Sequence, residues 1–369
     1  MKIAILGTRG IPAKYGGFET FAEALASGMV KKGHQVTVYC PHYQAFKARK
    51  YRGIKLVFIV SLEVFFKARL ARAISSLLYD LISLVRVAFS DCKVVYMLGY
   101  AAGPLMAIPR LTGKVVVVNP DGLEWKSARW GRFARAWLRY CEKSCTIVAN
   151  SIIADAASIK RHFRKTYAAP VACIPYGADV WEPQPLPASF EHRALCYYLA
   201  VARMVPETSI PMIVRGYLKS AVGSVLLVVG PTPDAQFFSE QVAPLIDNVR
   251  VIYLGPIYDK PLLQSIRCNA RALIQGHASE GTSPSLLESM GCGSPVIAID
   301  TESNIDVLGP NDGLFFKTDD DLANHLNRFD SYSDERRRYL GQANREKIEK
   351  RYSWEAVVEQ HLRVFTSCS

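Results

Sequence analysis

Short apolar runs alternate with amphipathic stretches along the chain, and their order predicts the architecture. Lys2 to Leu6 (KIAIL) is an apolar run that stops at Gly7-Thr8-Arg9-Gly10, the pattern of a buried parallel strand and its turn. A helix is predicted from Phe18 to Lys32, with Phe21, Leu25 and Met29 on one side, and Gln35 to Cys40 (QVTVYC) reads as a second strand. Further strands are predicted at Ile54 to Val60, Val94 to Leu98, Lys114 to Asn119 and Thr146 to Ser151 (TIVANS), and Cys173 to Asp179 (CIPYGAD) completes the first half. In the second half Leu195 to Arg203, Ser224 to Gly230, Arg250 to Ile257, Arg271 to Gln275 and Val296 to Ile299 are apolar and of strand length. Strand, glycine loop, helix, strand is the opening of a doubly wound α/β fold.

Two amphipathic segments stand apart. Ala73 to Phe89 is the nearest approach to a membrane span, but Asp80 and Arg86 interrupt it, so it reads as a buried or interfacial helix. Residues 127 to 143 form a helix with Trp130, Phe133, Ala134, Trp137, Leu138 and Cys141 on one face and Arg129, Arg132, Arg135, Arg139 and Lys143 opposite. That helix either covers a sheet with a solvated basic face or attaches to an anionic leaflet, where Lys160, Arg161, Arg164 and Lys165 would add charge. Trp181 to His192, with three prolines and few apolar residues, reads as a linker. The expected domains are 1–180, 193–352, and a C-terminal helix at 353–369 that crosses back to the first.

A length of 369 residues suits two domains, and a composition half hydrophobic and 21% charged is globular. No secretory segment is expected, because MKIAILG runs at once into Thr8, Arg9 and Gly10. The nine cysteines show no C-x-x-C spacing, so neither a metal site nor a disulfide framework is expected, and a reducing cytosol follows. Residues 1–180 hold 27 Lys and Arg against 10 Asp and Glu, so the whole positive excess is N-terminal and points to an anionic partner for that half.

The candidate chemistry centres on residues 276–300, GHASEGTSPSLLESMGCGSPVIAID. Glu280 and Glu288 have seven residues between them; Gly281, Thr282 and Ser283 lead into a helix that Thr282 or Ser283 can cap, with Pro284 at its first position. Gly291 and Gly293 close that helix. Backbone N–H groups at a helix start are an anion site, and flanking carboxylates accept from hydroxyls, so the ligand should carry both phosphate and sugar. The first glycine loop is not G-x-G-x-x-G and no acidic residue ends the second strand, which disfavours a nicotinamide enzyme.

In full context the Glu280 to Glu288 segment resembles the nucleotide-sugar signature of the retaining GT-B glycosyltransferases grouped as family 4. Gly16, Gly17 and Glu19 resemble that family's G-G-x-E segment. ILGTRGIPAKYGGFETFAE and NPDGLEWK (119–126) resemble the subgroup that includes bacterial rhamnosyltransferases of surface-polysaccharide assembly. The likeness implies two Rossmann-like domains facing a central cleft, net retention of configuration, and no bound metal or cofactor. It implies that Asp121 faces the acceptor or the transferred sugar, that Arg203 and Glu280 serve catalysis, and that Gly16, Gly17, Arg203, Tyr258, Gly281, Thr282, Ser283 and Glu288 hold the donor. The Lys that the wider family places about five residues after Arg203 is missing here, which leaves one cation fewer for the diphosphate.

The function so implied is transfer of a sugar, L-rhamnose from dTDP-rhamnose, to a polyprenyl-diphosphate-linked glycan precursor. The enzyme would sit in the cytoplasm, peripheral on the inner face of the plasma membrane, with an anionic membrane surface and no nucleic acid as partner. A transferase using a UDP- or GDP-sugar, a sugar-nucleotide epimerase and a non-catalytic nucleotide-sugar sensor are the alternatives.

Overall fold

The strands form where the apolar runs lie, and they assemble into two parallel sheets. A computed structural model describes residues 1–13, 17–65, 69–120, 122–126, 130–188, 190, 196–278, 281–310 and 313–368. The chain divides into a unit of Met1–Tyr176 with Trp354–Ser369, and a unit of Gly177–Ser353.

The first unit holds β1 (Lys2–Leu6), β2 (Gln35–Pro41), β3 (Lys50–Tyr51), β4 (Ile54–Ile59), β5 (Val94–Leu98), β6 (Val115–Asn119), β7 (Ser151–Ala154) and β8 (Val171–Cys173). Their order is β3-β4-β2-β1-β5-β6-β7-β8, parallel except for the β3 edge, which pairs antiparallel with β4. Its helices are α1 (Gly17–Lys31), α2 (Arg69–Ala88), α3 (Ala107–Leu111), α4 (Arg132–Val148) and α5 (Ala157–Tyr167). The second unit holds β9 (Tyr197–Val201), β10 (Val225–Val229), β11 (Val251–Gly255), β12 (Leu273–Gln275), β13 (Val296–Ile299) and β14 (Leu314–Phe316) in the order β11-β10-β9-β12-β13-β14. Its helices are α6 (Ile210–Lys219), α7 (Ala235–Phe237), α8 (Lys260–Cys268), α9 (Pro284–Gly291), α10 (Glu302–Leu308), α11 (Asp319–Asp330) and α12 (Asp334–Lys347); α13 (Trp354–Ser367) belongs to the first unit. In each sheet the strand order reverses beside the first strand of the unit, between β1 and β5 and between β9 and β12, and such switch points are where open α/β sheets bind ligands.

Two expectations are corrected. The β-branched run Thr146-Ile147-Val148 ends α4 instead of forming a strand, which begins only at Ser151, and Cys173 is the last residue of β8 so that most of CIPYGAD is loop. The helix expected at 127–143 starts at Arg132, and its buried side is Leu138, Cys141, Glu142, Ser144 and Cys145. Backbone proximity explains the rotation: a Cβ on Gly103 would lie 2.4 Å from the Cys141 carbonyl oxygen, so α4 presses its Cys141 side against that turn. Phe133 and Trp137, grouped with Leu138 and Cys141 on the expected apolar face, are left exposed, as is Tyr140. The proline-rich segment is strapped to the second unit, where Arg345 bonds the Trp181 carbonyl and pairs with Glu182, and Asn269 bonds the Gln184 carbonyl.

α1 and α13 cover one face of the first sheet through an aromatic cluster. Phe21 packs on Tyr96, Tyr176, Trp354 and His361, and Tyr96 on Phe365. His361 is fully buried with Nδ1 2.8 Å from the Val357 carbonyl. Nδ1 therefore carries the proton and Nε2 accepts from the Tyr96 hydroxyl at 3.1 Å, whose oxygen accepts from Asn119 Nδ2 at 3.3 Å. Burial pushes His361 down to about 4, below the ordinary 6.5. Between those values the unfolded chain binds a proton that the native chain refuses, so stability present above pH ~6.5 is lost as pH falls toward ~4, on the order of 3 kcal/mol. Urea midpoints taken across this range should fall less steeply for His361→Gln than for the wild type; parallel slopes would remove His361 from the acid response.

Candidate functional site

The switch point of the second sheet is built from two loops that touch. β9 ends at Val201, and Arg203 follows with its side chain exposed and with no described carboxylate in ion-pair reach. Its carbonyl accepts from Thr208 Oγ1 at 2.8 Å, which fixes the turn Pro206–Thr208 ahead of α6. The loop after β12 crosses this turn: Ala278 N donates to the Glu207 carbonyl at 3.0 Å, and a Cβ on Gly276 would lie 2.4 Å from the Thr208 oxygen. Only glycine permits that crossing, so Gly276 sets where the loop can go. His277 is thereby carried beside Arg203. Burial first, then the Arg203 charge, push its pKa down, with Glu207 opposing, so the imidazole is neutral near pH 7.

α9 enters from the same end. Ser283 is its N-cap by position (φ −75°, ψ 118°) but makes no side-chain cap bond, Pro284 is its first residue, and both Thr282 and Ser283 are buried. The Ser285 hydroxyl donates to the Val201 carbonyl at 3.1 Å, tying the first turn of α9 to the last residue of β9. First-turn amides without an N-cap side chain and the positive end of a helix dipole thus stand at the end of β9, two residues before Arg203, which is an anion-binding arrangement. Gly281 precedes this start, and Gly293 (φ 71°) closes the helix as expected.

Glu288 lies one turn further on and is occupied differently from the sequence reading. Arg267 Nη2 donates to its Oε2 at 2.7 Å, and the Arg267 side chain is only 3% exposed. A carboxylate has about four acceptor sites, so this bond orients Glu288 and leaves capacity for a ligand hydroxyl. Tyr258 is exposed on the loop between β11 and α8, where Asp259 caps α8 through Leu262 N at 3.1 Å. Glu280 lies outside the described residues.

In the first unit the loop after β1 passes so close to β5 that a Cβ on Gly7 would sit 2.0 Å from the Leu98 oxygen. Carboxylates from α1 hold this loop: Glu19 accepts from Arg9 N at 3.0 Å and Glu23 from Ala13 N at 2.7 Å, while the Arg9 guanidinium pairs with Glu63 at 2.7 Å. Gly17 opens α1; Gly16 lies outside the described residues. Asp121 also lies outside them, but both flanks of its segment are fixed. Asn119 bonds Tyr96, and Trp125 Nε1 donates to Glu142 at 2.7 Å. Glu142 is 1% exposed and also receives Tyr167 Oη at 2.7 Å and His162 Nε2 at 2.8 Å.

Sequence reasoning brought together Arg203, Thr282 and Ser283 and missed His277, Arg267 and Glu142. The only signal for His277 was its place after a buried strand on the loop that carries Glu280; Arg267 and Glu142 sit on amphipathic helices with nothing to distinguish them.

Residues 1–179 match the family described as a domain of unknown function, DUF1972, and residues 197–347 match Glycosyl transferases group 1. A curated relative, glycosyltransferase 1 domain-containing protein 1 of Xenopus tropicalis, is 28% identical over 131 residues; the match spans 35% of this chain and 37% of that protein. Among solved structures, sucrose-phosphate synthase from Thermosynechococcus elongatus superposes with a TM-score of 0.82 at 18% identity, covering 99% of this chain and 98% of that one. Anabaena HepE in complex with UDP and glucose gives 0.79 at 17% identity over 100% of both chains. The E. coli trehalose-6-phosphate protein bound with UDP-2-fluoro glucose gives 0.75 at 12% identity over 99% of both. At these identities structural likeness speaks for the fold, which is GT-B. The sequence match speaks for the second unit, where residues 197–347 are similar to the Glycosyl transferases group 1 family.

Proposed function

We propose that the protein is a retaining glycosyltransferase that moves L-rhamnose from dTDP-rhamnose to a polyprenyl-diphosphate-linked glycan precursor of bacterial surface polysaccharide. The observation that carries a nucleotide-sugar donor is the bond from the Ser285 hydroxyl to the Val201 carbonyl, which holds the amino end of α9 at the end of β9, two residues before the exposed Arg203, at the β9/β12 switch point. In this reading the charge on the leaving diphosphate is met by fixed donors instead of a metal: Arg203 and the amides at Thr282 and Ser283. The acceptor oxygen bonds to the anomeric carbon on the face the diphosphate leaves, the carbon–oxygen bond to the diphosphate breaks, and a diphosphate oxygen takes the acceptor proton. Glu288, oriented by Arg267, accepts from a nucleotide hydroxyl, and Asp121 and Glu280 face the sugar and the acceptor.

The rhamnose assignment rests on the GTRGIPAKYGGFETF and NPDGLEWK segments. A UDP-sugar donor is the second reading, favoured by two structural neighbours that hold UDP or UDP-2-fluoro glucose. The basic first half supports a diphosphate-bearing acceptor at the cytoplasmic face of an anionic membrane.

Turnover against a panel of dTDP-, UDP- and GDP-sugars with lipid-linked acceptors tests this. The expected result is a β-linked product from dTDP-β-L-rhamnose, with donor binding weakened about 10- to 150-fold in Glu288→Ala through loss of about 1.5–3 kcal/mol of charge-assisted hydrogen bonding. An α-linked product overturns retention. Turnover only with a UDP- or GDP-sugar replaces the donor, and interconversion of free sugar nucleotides without an acceptor would make the protein an epimerase.

A further inference from the structure

We infer that the face of the first unit covered by α2, α3 and α4 is a docking surface for an anionic lipid bilayer, with the outward side of α2 entering the acyl boundary. This extends the membrane part of the reading above by assigning the surface, and it stands on separate observations.

α2 is built the wrong way round for water. The side turned into the unit carries Ser75, Asp80 and Ser83, all buried, beside Tyr79, Leu84 and Val87. The side turned to solvent carries Ile74, Leu78, Ile82 and Val85, and Phe89 follows in line; they are 59, 43, 37, 40 and 82% exposed. At 100° per residue these five fall within an arc of about 80° and run about 22 Å along the helix. Hiding an aspartate while exposing five large apolar side chains costs free energy in water, so the orientation makes sense only if the outer side is covered. Val60, Leu62 and Phe65, in the segment leading into α2, are exposed as well. At the far end of α2, Ile82, Val85 and Phe89 border a groove of about 710 Å3 whose wall also includes Lys55, Arg86 and Asp91, the last paired with Lys2.

The stripe is part of a larger face. Side chains of α2 and α4 share one core on the same side of the first sheet, with Ala4, Leu6, Val95 and Met97 beneath them, whereas Tyr96 points to the opposite side, which α1 and α13 cover. Outward on α4 stand Phe133, Trp137, Tyr140 and Ile147, and on α3 Leu111. Among the described residues, thirteen of the sixteen exposed large hydrophobic side chains belong to the first unit, and every one of them lies on α2, α3, α4 or the segments leading into and out of α2. α1 and α13 have none, so the pattern is confined to one face and is not a general property of the surface.

Charge selects the occupant. The exposed charged side chains on described turns of α2 are Arg72 and Arg86, and α4 adds Arg132, Arg139 and Lys143. The first unit holds 28 Lys and Arg against 11 Asp and Glu, so pressing two copies face to face would set two units of charge +17 against each other. An anionic bilayer accepts both the apolar stripe and the charge. No described helix is long and apolar enough to cross a membrane, so the face lies on the bilayer.

The test is flotation of the full-length chain with vesicles of phosphatidylcholine alone or with 30% phosphatidylglycerol. Wild type should float with the anionic vesicles, and Leu78→Ser/Val85→Ser should cut the bound fraction at least tenfold with an unchanged melting curve. Arg132→Glu/Lys143→Glu should instead weaken binding at low salt and flatten its further loss with added salt. Binding unaffected by the serine pair overturns the assignment of the surface while leaving membrane attachment standing. A wild-type dimer that the serine pair dissociates, with no flotation, overturns it in favour of a second copy of this chain. Wild type that floats with neither vesicle overturns both this inference and the membrane part of the proposed function, while sugar transfer to a soluble acceptor reads the transferase assignment independently.

Discussion

Arg203→Ala is expected to lower kcat by about 10^2- to 10^3-fold, the loss seen when one preorganised donor to a developing anion is removed. The side chain is exposed and pairs with no described carboxylate, so its removal leaves no buried partner behind. The melting temperature should therefore stay near that of the wild type. Arg203→Lys should recover part of the rate, because an ammonium supplies charge without the planar two-pronged contact to phosphate. Loss of the neighbouring positive charge should also raise the His277 pKa, which proton NMR can follow in the same variant without any substrate. A kcat equal to wild type, with the His277 shift present, would place Arg203 beside the site and outside the chemistry.

Glu142→Ala should be the most damaging single change to the first unit among polar residues. Three donors, the Trp125 indole, the Tyr167 hydroxyl and His162, converge on one carboxylate that is almost fully buried. Its truncation leaves them without an acceptor and opens a cavity, and the expected loss is about 3–5 kcal/mol. Glu142→Gln, which keeps one acceptor oxygen, should lose roughly half of that. Because Trp125 belongs to the segment that follows Asp121, the folded fraction of either variant should also transfer sugar more slowly. Chemical denaturation with Trp fluorescence reads the first effect; a loss under 1 kcal/mol for Glu142→Ala would show that water satisfies the three donors.

Where the sequence spoke clearly, it did so through backbone-level constraints. Apolar runs of strand length marked most strands of both sheets, and the Thr-Ser-Pro start and Gly-x-Gly end bracketed α9 nearly to the residue, because caps and closures are local chemistry. α4 was misplaced because its aromatic and aliphatic positions satisfy a helical period on two adjacent faces. The choice between them was made by the backbone approach of Gly103 to Cys141, a contact 38 positions away that no local pattern carries. Thr146-Ile147-Val148 misled in the same way, since tertiary packing of α4 outweighed β propensity. Glu142, His361 and Arg267 were illegible for a third reason. Each is one polar residue among several on an amphipathic helix, and its role exists only through partners as distant as Tyr96 for His361.

α13 carries a consequence for synthesis. The residues that supply His361 to Tyr96 and Trp354 to Phe21 are made after the whole of the second unit, although they complete the first. At translation rates of ~5–20 residues per second, the emerging N-terminal unit waits roughly 9–35 s with one face of its sheet covered by α1 alone, while the second unit is continuous and can close as soon as it emerges. The nascent first unit is thus the natural client for a chaperone during that interval, and a released chain ending at Ser353 should hold a folded second unit together with a protease-sensitive first one.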